Sequence, residues 1–208
     1  MIKNFIFDFG QVLVEFNTEY MTSVYFDDKK EIKTVEEVVF DRLYWDKLDE
    51  GSISDEEVRQ GIKSRLPKEL HEKACLVYDN WYKHLPFIEG MTELISQIKQ
   101  SGGRVFLLSN ISKTFAENFQ TVPELKELFD KFDGLVFSSK LGITKPDKEI
   151  FKYVLRQYNL NANECVFIDD RVCNTLGAER IDIKSILFSG CDDKFKTEIK
   201  KYIINLGV

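Results

Sequence analysis

Apolar and polar positions follow two different rhythms along this chain, and the rhythm changes twice. At the start, Phe5-Ile6-Phe7 is an unbroken apolar run that ends in Asp8. A strand buried on both faces reads this way, as in a parallel sheet covered by helices. Val12-Leu13-Val14 predicts further extended chain. From Asn17 to His84 the pattern turns helical. Val35, Val38, Val39, Leu43 and Leu48 recur near helical spacing and predict one helix, broken at Glu50-Gly51-Ser52-Ile53. Ser54-Asp55-Glu56-Glu57 is a capping box for the next helix, which carries Val58, Ile62 and Leu66 on one face. Pro67 is expected at the first position of another helix, with Leu70, Ala74, Val77 and Trp81 along one side.

Near Pro86 short apolar runs begin to alternate with amphipathic helices, the signature of βα units and a parallel sheet. Helices are predicted over Gly90 to Ser101, over Lys113 to Phe129 with a new turn at Pro123, from Pro146 through Tyr158, and over Asn174 to Glu179. Strands are predicted at Val105 to Leu108, Gly134 to Ser138, Cys165 to Ile168 and Ser185 to Phe188. A basic amphipathic helix from Asp192 to Leu206 is expected to pack on the sheet edge. The fold class is therefore α/β: a Rossmann-like parallel sheet core with helices on both faces, residues 1–15 and 86–208. A small α-helical domain, residues 16–85, is inserted after the first strand.

Composition narrows the function classes. At 208 residues, with 43% hydrophobic and 31% charged residues, this is a globular chain with room for one sizeable core. A net charge of −6 gives no electrostatic case for nucleic acid. Asp8 interrupts the N-terminal apolar run, so no secretory signal is expected, and no run approaches the roughly 20 residues of a membrane helix. Cys75, Cys165, Cys173 and Cys191 form no CxxC pair and read as reduced thiols of a cytoplasmic protein. His71 and His84 stand alone.

Parallel strands present their carboxyl ends on one sheet edge, where open α/β sheets bind ligands. That edge collects Asp8, Ser109 with Asn110, and Asp169 with Asp170; Lys145 precedes Pro146 at a helix mouth. Each has an ordinary explanation as a cap or loop residue. Together they form one chemical set. Three converging acids repel unless a cation joins them. Mg²⁺ takes oxygen ligands and one or two carboxylates plus a substrate phosphate. Ser109 and Lys145 suit the remaining phosphate oxygens. Asp8 is then the candidate nucleophile.

On these residues the chain resembles the haloacid dehalogenase-like (HAD) superfamily over essentially its whole length. The four motifs stand in order: FIFDFGQV at residues 5 to 12, VFLLSN ending in Ser109-Asn110, Lys145 within LGITKPD, and VFIDD with Asn174 and Gly177-Ala178 downstream. The resemblance implies Asp8 as nucleophile and metal ligand, with the Gly10 carbonyl as second ligand. It implies Asp170 as third ligand, with Asp169 beside it or behind it. Ser109 and the amide of Asn110 would bind the transferring phosphoryl group, Lys145 would neutralise charge, and Asn174 would orient the acids. The inserted helices resemble the family's cap, which closes over the site. The implied function is a Mg²⁺-dependent phosphatase of a small phosphorylated metabolite, as monomer or homodimer, with neither nucleic acid nor membrane as partner.

Most family phosphatases carry a second aspartate two residues after the nucleophile, as general acid and base. Here that position is Gly10. The Asp-x-Gly pattern resembles a branch that includes α-glucose-1-phosphate phosphatases. That points to a sugar phosphate or another substrate whose leaving group departs easily, with water or a cap residue as the alternative proton source. Two other readings stand beside it: a catalytically weak HAD-fold binding protein, and a metal-independent haloacid dehalogenase, against which the Asp169-Asp170 pair argues. In the insertion, Arg42, Tyr44, Trp45 and Glu50 flank the helix break and face either the site or the helical core.

Overall fold

The computed structural model describes residues 1–203. In chain order its elements are β1 (Asn4–Phe7), α1 (Thr18–Ser23), α2 (Lys29–Val39), α3 (Arg42–Glu50), α4 (Asp55–Arg65), α5 (His71–Asn80) and α6 (Met91–Gln100). Then come β2 (Arg104–Ser109), α7 (Lys113–Asn118), α8 (Pro123–Phe129), β3 (Gly134–Phe137), α9 (Lys148–Gln157), β4 (Cys165–Asp169), α10 (Val172–Glu179), β5 (Lys184–Leu187) and α11 (Asp193–Ile203). The strands form one parallel sheet in the order β3-β2-β1-β4-β5.

Strand periodicity explains the two cores. Side chains alternate between faces, so Phe5 and Phe7 join one cluster and Ile6 the other. Val105 and Leu107 part from Phe106 and Leu108 in the same way, as do Val166 and Ile168 from Cys165 and Phe167. On one face lie α6, α7, α8 and α11, through Ile95, Phe115, Phe129 and Ile199. On the other lie α9 and α10, through Phe151, Val154 and Ala178. Both faces are covered, which is why the strands read as continuous apolar runs.

Helices α2 to α5 enclose a third cluster of their own, including Phe26, Val35, Val39, Ile62 and Val77. The chain enters and leaves this bundle on adjacent paths. Glu15 N–H donates to the Pro86 carbonyl at 2.8 Å, and Ile88 N–H to the Leu13 carbonyl at 3.0 Å. The Ser54–Glu57 capping box forms reciprocally.

Several local expectations are corrected. Val12 and Leu13 are not extended: the Phe9 carbonyl accepts from Leu13 N–H at 2.8 Å, and Gln11 turns the chain at φ 59°. Their apolar character reflects burial within a turn. The single helix through Val35 and Leu48 is two helices, because the Asp41 side chain accepts from Leu43 N–H and starts α3 afresh. Leu43 faces solvent. Pro67 precedes a short 3-10 turn, Lys68–Leu70, ahead of α5. Pro146 follows a cis peptide bond, and Asp147 caps α9, which begins at Lys148, two residues after the expected start. Ser138 opens a 3-10 turn rather than ending β3. The terminal helix packs Phe195 and Ile199 with Ile186 and Phe188 beside edge strand β5; its expected extension over 204–206 lies outside the described residues.

One glycine sets how closely α10 approaches the loop that carries Lys145. A Cβ at Gly177 would lie 2.7 Å from the Pro146 carbonyl oxygen and 3.1 Å from the Phe151 ring. Alanine gains up to about 1 kcal/mol of helix propensity, but overpacking against backbone costs about 1–3 kcal/mol or more. Gly177→Ala is therefore expected to lower the urea midpoint at unchanged m-value; a rise would mean that α10 shifts freely.

Candidate active site

Adjacent strands bring the acids together. The register pairs Phe7 with Ile168, and Asp8 N–H donates to the Ile168 carbonyl at 2.9 Å. Asp8 and Asp169 therefore leave the sheet side by side. The Lys145 ammonium reaches in from the β3–α9 connection, 2.7 Å from Asp8 Oδ1 and 2.8 Å from Asp169 Oδ2. All three side chains are buried. Burying charges is costly unless they are paired and hydrogen-bonded, and this set is both. Asn174 Nδ2 donates to both Asp169 oxygens at 3.0 and 3.1 Å, and Arg171 N–H donates to Oδ1 at 2.8 Å. Phe9 N–H donates to Asp8 Oδ1 at 2.7 Å.

The backbone of Lys145 is fixed by Asn110. Lys145 N–H donates to Asn110 Oδ1 at 2.8 Å, and Asn110 Nδ2 returns a bond to the Lys145 carbonyl at 3.0 Å. This reciprocal amide pair ties the end of β2 to the β3–α9 connection. Ser109 is buried at that strand end and lines the site, and its hydroxyl has no hydrogen-bond partner among the described residues.

Burial pushes the Asp8 carboxyl up to about 7; Lys145 opposes this, and the charge of Asp169 adds to it. Burial alone would lower the Lys145 pKa, but Asp8 and Asp169 outweigh it and the net direction is up. Half-buried Asp170 is raised by burial and then by Asp169, and its carboxylate bonds to no other residue among those described. Asp8, Asp169 and Asp170 each offer an oxygen, all within 4.8 Å of one another. Hard carboxylate oxygens in this number suit a hard divalent cation.

Above the acids lies a cavity of about 300 Å³. Its floor is Asp8, Gly10, Ser109, Asn110, Lys145 and Asp170. Phe16 and the bundle residues Phe40, Arg42, Trp45, Asp49 and Trp81 form the facing wall. Phe16 packs edge-on against Phe40, Trp45 and Trp81 at centroid distances of 5.3 to 5.8 Å.

This arrangement of strand-end acids, lysine and roofing helices coincides with a match to a known family. A sequence model described as haloacid dehalogenase-like hydrolase matches residues 2–182. The chain belongs to that family.

Among curated relatives of this HAD-like hydrolase, a sesquiterpene phosphatase of Aspergillus oryzae is 28% identical over 179 residues, 86% of each chain. A D-ribitol-5-phosphate phosphatase of Bacteroides thetaiotaomicron is 28% identical over 185 residues, 84% of this chain and 85% of its own. A HAD family enzyme from Bacteroides thetaiotaomicron, solved with magnesium and inorganic phosphate, superimposes with a TM-score of 0.70 at 22% identity. That superposition covers 93% of this chain and 97% of the other, and at this identity it speaks for the fold.

Every residue singled out in the sequence for this site meets here: Asp8, Gly10, Ser109, Asn110, Lys145, Asp169, Asp170 and Asn174. The side chain of Asn110 takes an unforeseen part, holding Lys145 in place. Arg42 and Trp45 line the cavity, and Glu50 lines a neighbouring cleft. Tyr44 belongs to the bundle: a Cβ at Gly61 would fall 2.3 Å from its hydroxyl. Asp49 was missed. It sits on the helix face of Arg42 and Trp45, at the i, i+3, i+7 spacing that would have found it. Phe16, Phe40 and Trp81 carry no comparable signal, because only folding brings them together.

The raised carboxyls make stability pH-dependent. Unfolded aspartate titrates near about 3.9, whereas Asp8 and Asp49 are raised to about 7 in the fold. A raised folded pKa contributes stability below the unfolded value and loses it as pH climbs through the folded one. Chelator-treated protein is thus expected to lose stability between about pH 4 and 7, and Asp8→Asn to lose less. Urea titrations across that range check this; an equal slope in the variant would contradict the Asp8 shift.

Proposed function

We propose that this hydrolase is a Mg²⁺-dependent phosphatase of a small phosphorylated metabolite, acting through an aspartyl-phosphate at Asp8. The observation that carries the reading is the convergence of Asp8, Asp169 and Asp170, the first two paired with one buried lysine, with the buried Ser109 lining the same cavity. Asp8 attacks phosphorus as the leaving oxygen departs. Ser109 and the Asn110 amide hold phosphoryl oxygens, and Lys145 holds Asp8 and takes up charge in the transition state.

Asp8, the Gly10 carbonyl and Asp170 are the ligands assigned to the cation. Asp169 supports them from behind, since Lys145, Asn174 and Arg171 N–H already take its oxygens. Asp170, left without a partner among the other described residues, suits direct ligation. Magnesium supplies charge neutralisation between the acids and the phosphoryl group.

Residues 16–85 act in this reading as a cap that excludes water, with hinges at 15–16 and 85–86. The paired crossing strands at Glu15 and Pro86 support such a hinge. The named relatives differ in substrate, one a sesquiterpene phosphatase and one a ribitol-5-phosphate phosphatase. Gly10 favours easily departing groups such as sugar 1-phosphates, while Phe16, Phe40, Trp45 and Trp81 offer apolar faces to the organic part. The protein is taken as cytoplasmic, a monomer or homodimer, acting on neither nucleic acid nor membranes. Among the described residues no helix is long and apolar enough to cross a membrane.

Gly10 also supports a second reading, a catalytically weak protein that binds a phosphorylated ligand. Phosphate release from a panel of sugar, polyol and prenyl phosphates, with and without Mg²⁺, separates the two. Mg²⁺-dependent turnover lost in Asp8→Asn is expected. Full activity in that variant would refute the nucleophile, and no turnover with Mg²⁺ still bound would favour the binding protein.

A further inference from the structure

If this site transfers a phosphoryl group, it lacks a proton donor on its floor. Gly10 stands where a carboxyl would help, yet space is not the reason: a Cβ there would meet nothing within 4 Å. In-line transfer sets the leaving oxygen opposite the attacking one. With Asp8 in the floor, the leaving oxygen faces the wall made by the bundle. The groups on that wall decide whether it leaves protonated.

Titratable candidates around the cavity are few. Asp8 and Asp170 are engaged by the reaction and the cation, and Lys145 by two ion pairs. Arg42 and Arg171 do not give up protons. Asp49 remains. Its side chain makes no hydrogen bond or ion pair among the described residues, while its backbone is held firmly. The buried Ser138 hydroxyl donates to the Asp49 carbonyl at 2.5 Å and accepts from Ile111 N–H at 2.9 Å. Two residues on, Gly51 has φ +70° and lies so near Ser139 that a Cβ would be 2.6 Å from its carbonyl oxygen. The end of α3 is thereby clamped to the sheet edge beside Ser109 and Asn110.

We infer that Asp49 is the general acid and base of this hydrolase, supplied from the helical insertion in place of the carboxyl that Gly10 lacks. In the first step the Asp8 Oδ–P bond forms and the P–O bond to the leaving group breaks. Asp49 passes its proton to that oxygen, releasing an alcohol and leaving Asp49 ionised. In the second step Asp49 takes a proton from water as the water oxygen bonds to phosphorus. The P–O bond to Asp8 then breaks, and inorganic phosphate leaves with both aspartates restored. The charge environment suits this cycle. Burial pushes the Asp49 carboxyl up to about 7; Arg42 and Lys145 pull it down, while Asp46 and Asp8 push it up. Glu50 and Arg171 line the neighbouring cleft that Asp49 also borders. A group near 7 serves both as acid and as base at neutral pH.

The assignment rests on the phosphatase reading, and two esters separate their failures. An alkyl phosphate needs its leaving oxygen protonated, whereas 4-nitrophenyl phosphate releases a stable anion. In Asp49→Asn, kcat/KM for the alkyl ester is expected to fall about 10²–10⁴-fold, and that for the nitrophenyl ester far less. Nitrophenolate should appear in a burst, because hydrolysis of the aspartyl-phosphate has lost its base. Gly10→Asp should raise alkyl-ester kcat/KM strongly in the Asp49→Asn background and little in the wild type. The wild type provides a measure that needs no variant: alkyl-ester kcat/KM should decline above about pH 7, and the nitrophenyl value should not. Equal losses on both esters, equal gains from Gly10→Asp in both backgrounds, or a missing alkaline decline would each overturn the role of Asp49. No Mg²⁺-dependent turnover of either ester by the wild type would instead overturn the phosphatase reading.

Discussion

A single ammonium group holds this site together. Lys145 is shared between Asp8 and Asp169, which come from adjacent strands distant in sequence, and the lysine itself comes from a third segment. Removing one member of such a buried set leaves an uncompensated charge, so the three elements are bound to one geometry. Hydrogen bonds finish the arrangement. Asn174 and Arg171 N–H fill the Asp169 oxygens, and Asn110 grips the lysine backbone. Asp8 accepts fewer hydrogen bonds than Asp169, and burial raises it to about 7. That inequality suits a division of labour between a structural acid and a reacting one.

The sheet supplies this geometry because both its faces are covered. Apolar side chains on β1, β2 and β4 enter two cores, leaving the carboxyl ends of the strands as the open edge where polar groups gather. The helical insertion closes that edge from above. It has an apolar cluster of its own, and it meets the core both by packing Trp81 and Tyr82 against Phe115 and at polar points, Ser138 with Asp49 and Thr114 with Asp55. A bundle with its own core can present different walls over one floor. Substrate choice and proton supply are therefore expected from the insertion, and phosphoryl chemistry from the sheet.

Much of this was legible in the residues. The strand-end acids, Ser109, Asn110 and Lys145 stand at spacings that already formed one chemical set, and the βα rhythm placed them on one edge. Boundaries were less legible. Asp41 reads as one more polar helical position until its side chain is seen capping α3, which turns Leu43 outward. Val12 and Leu13 are apolar because a turn is buried, and periodicity does not distinguish that from a strand.

The sequence alone determined the fold class, the family, the missing carboxyl at Gly10 and the residues of the floor, since strand periodicity and motif spacing are properties of neighbours in the chain. Tertiary structure decided the rest. Only packing shows Asp169 saturated by hydrogen bonds while Asp170 makes none to another of the described residues. Only the docking of α3 on Ser138 brings Asp49 over Asp8, and only the folded bundle gathers Phe16, Phe40 and Trp81 into one wall. The physical reason is the same in each case. Desolvation, pairing and reach depend on what surrounds a side chain in space, and its neighbours in sequence carry little of that information.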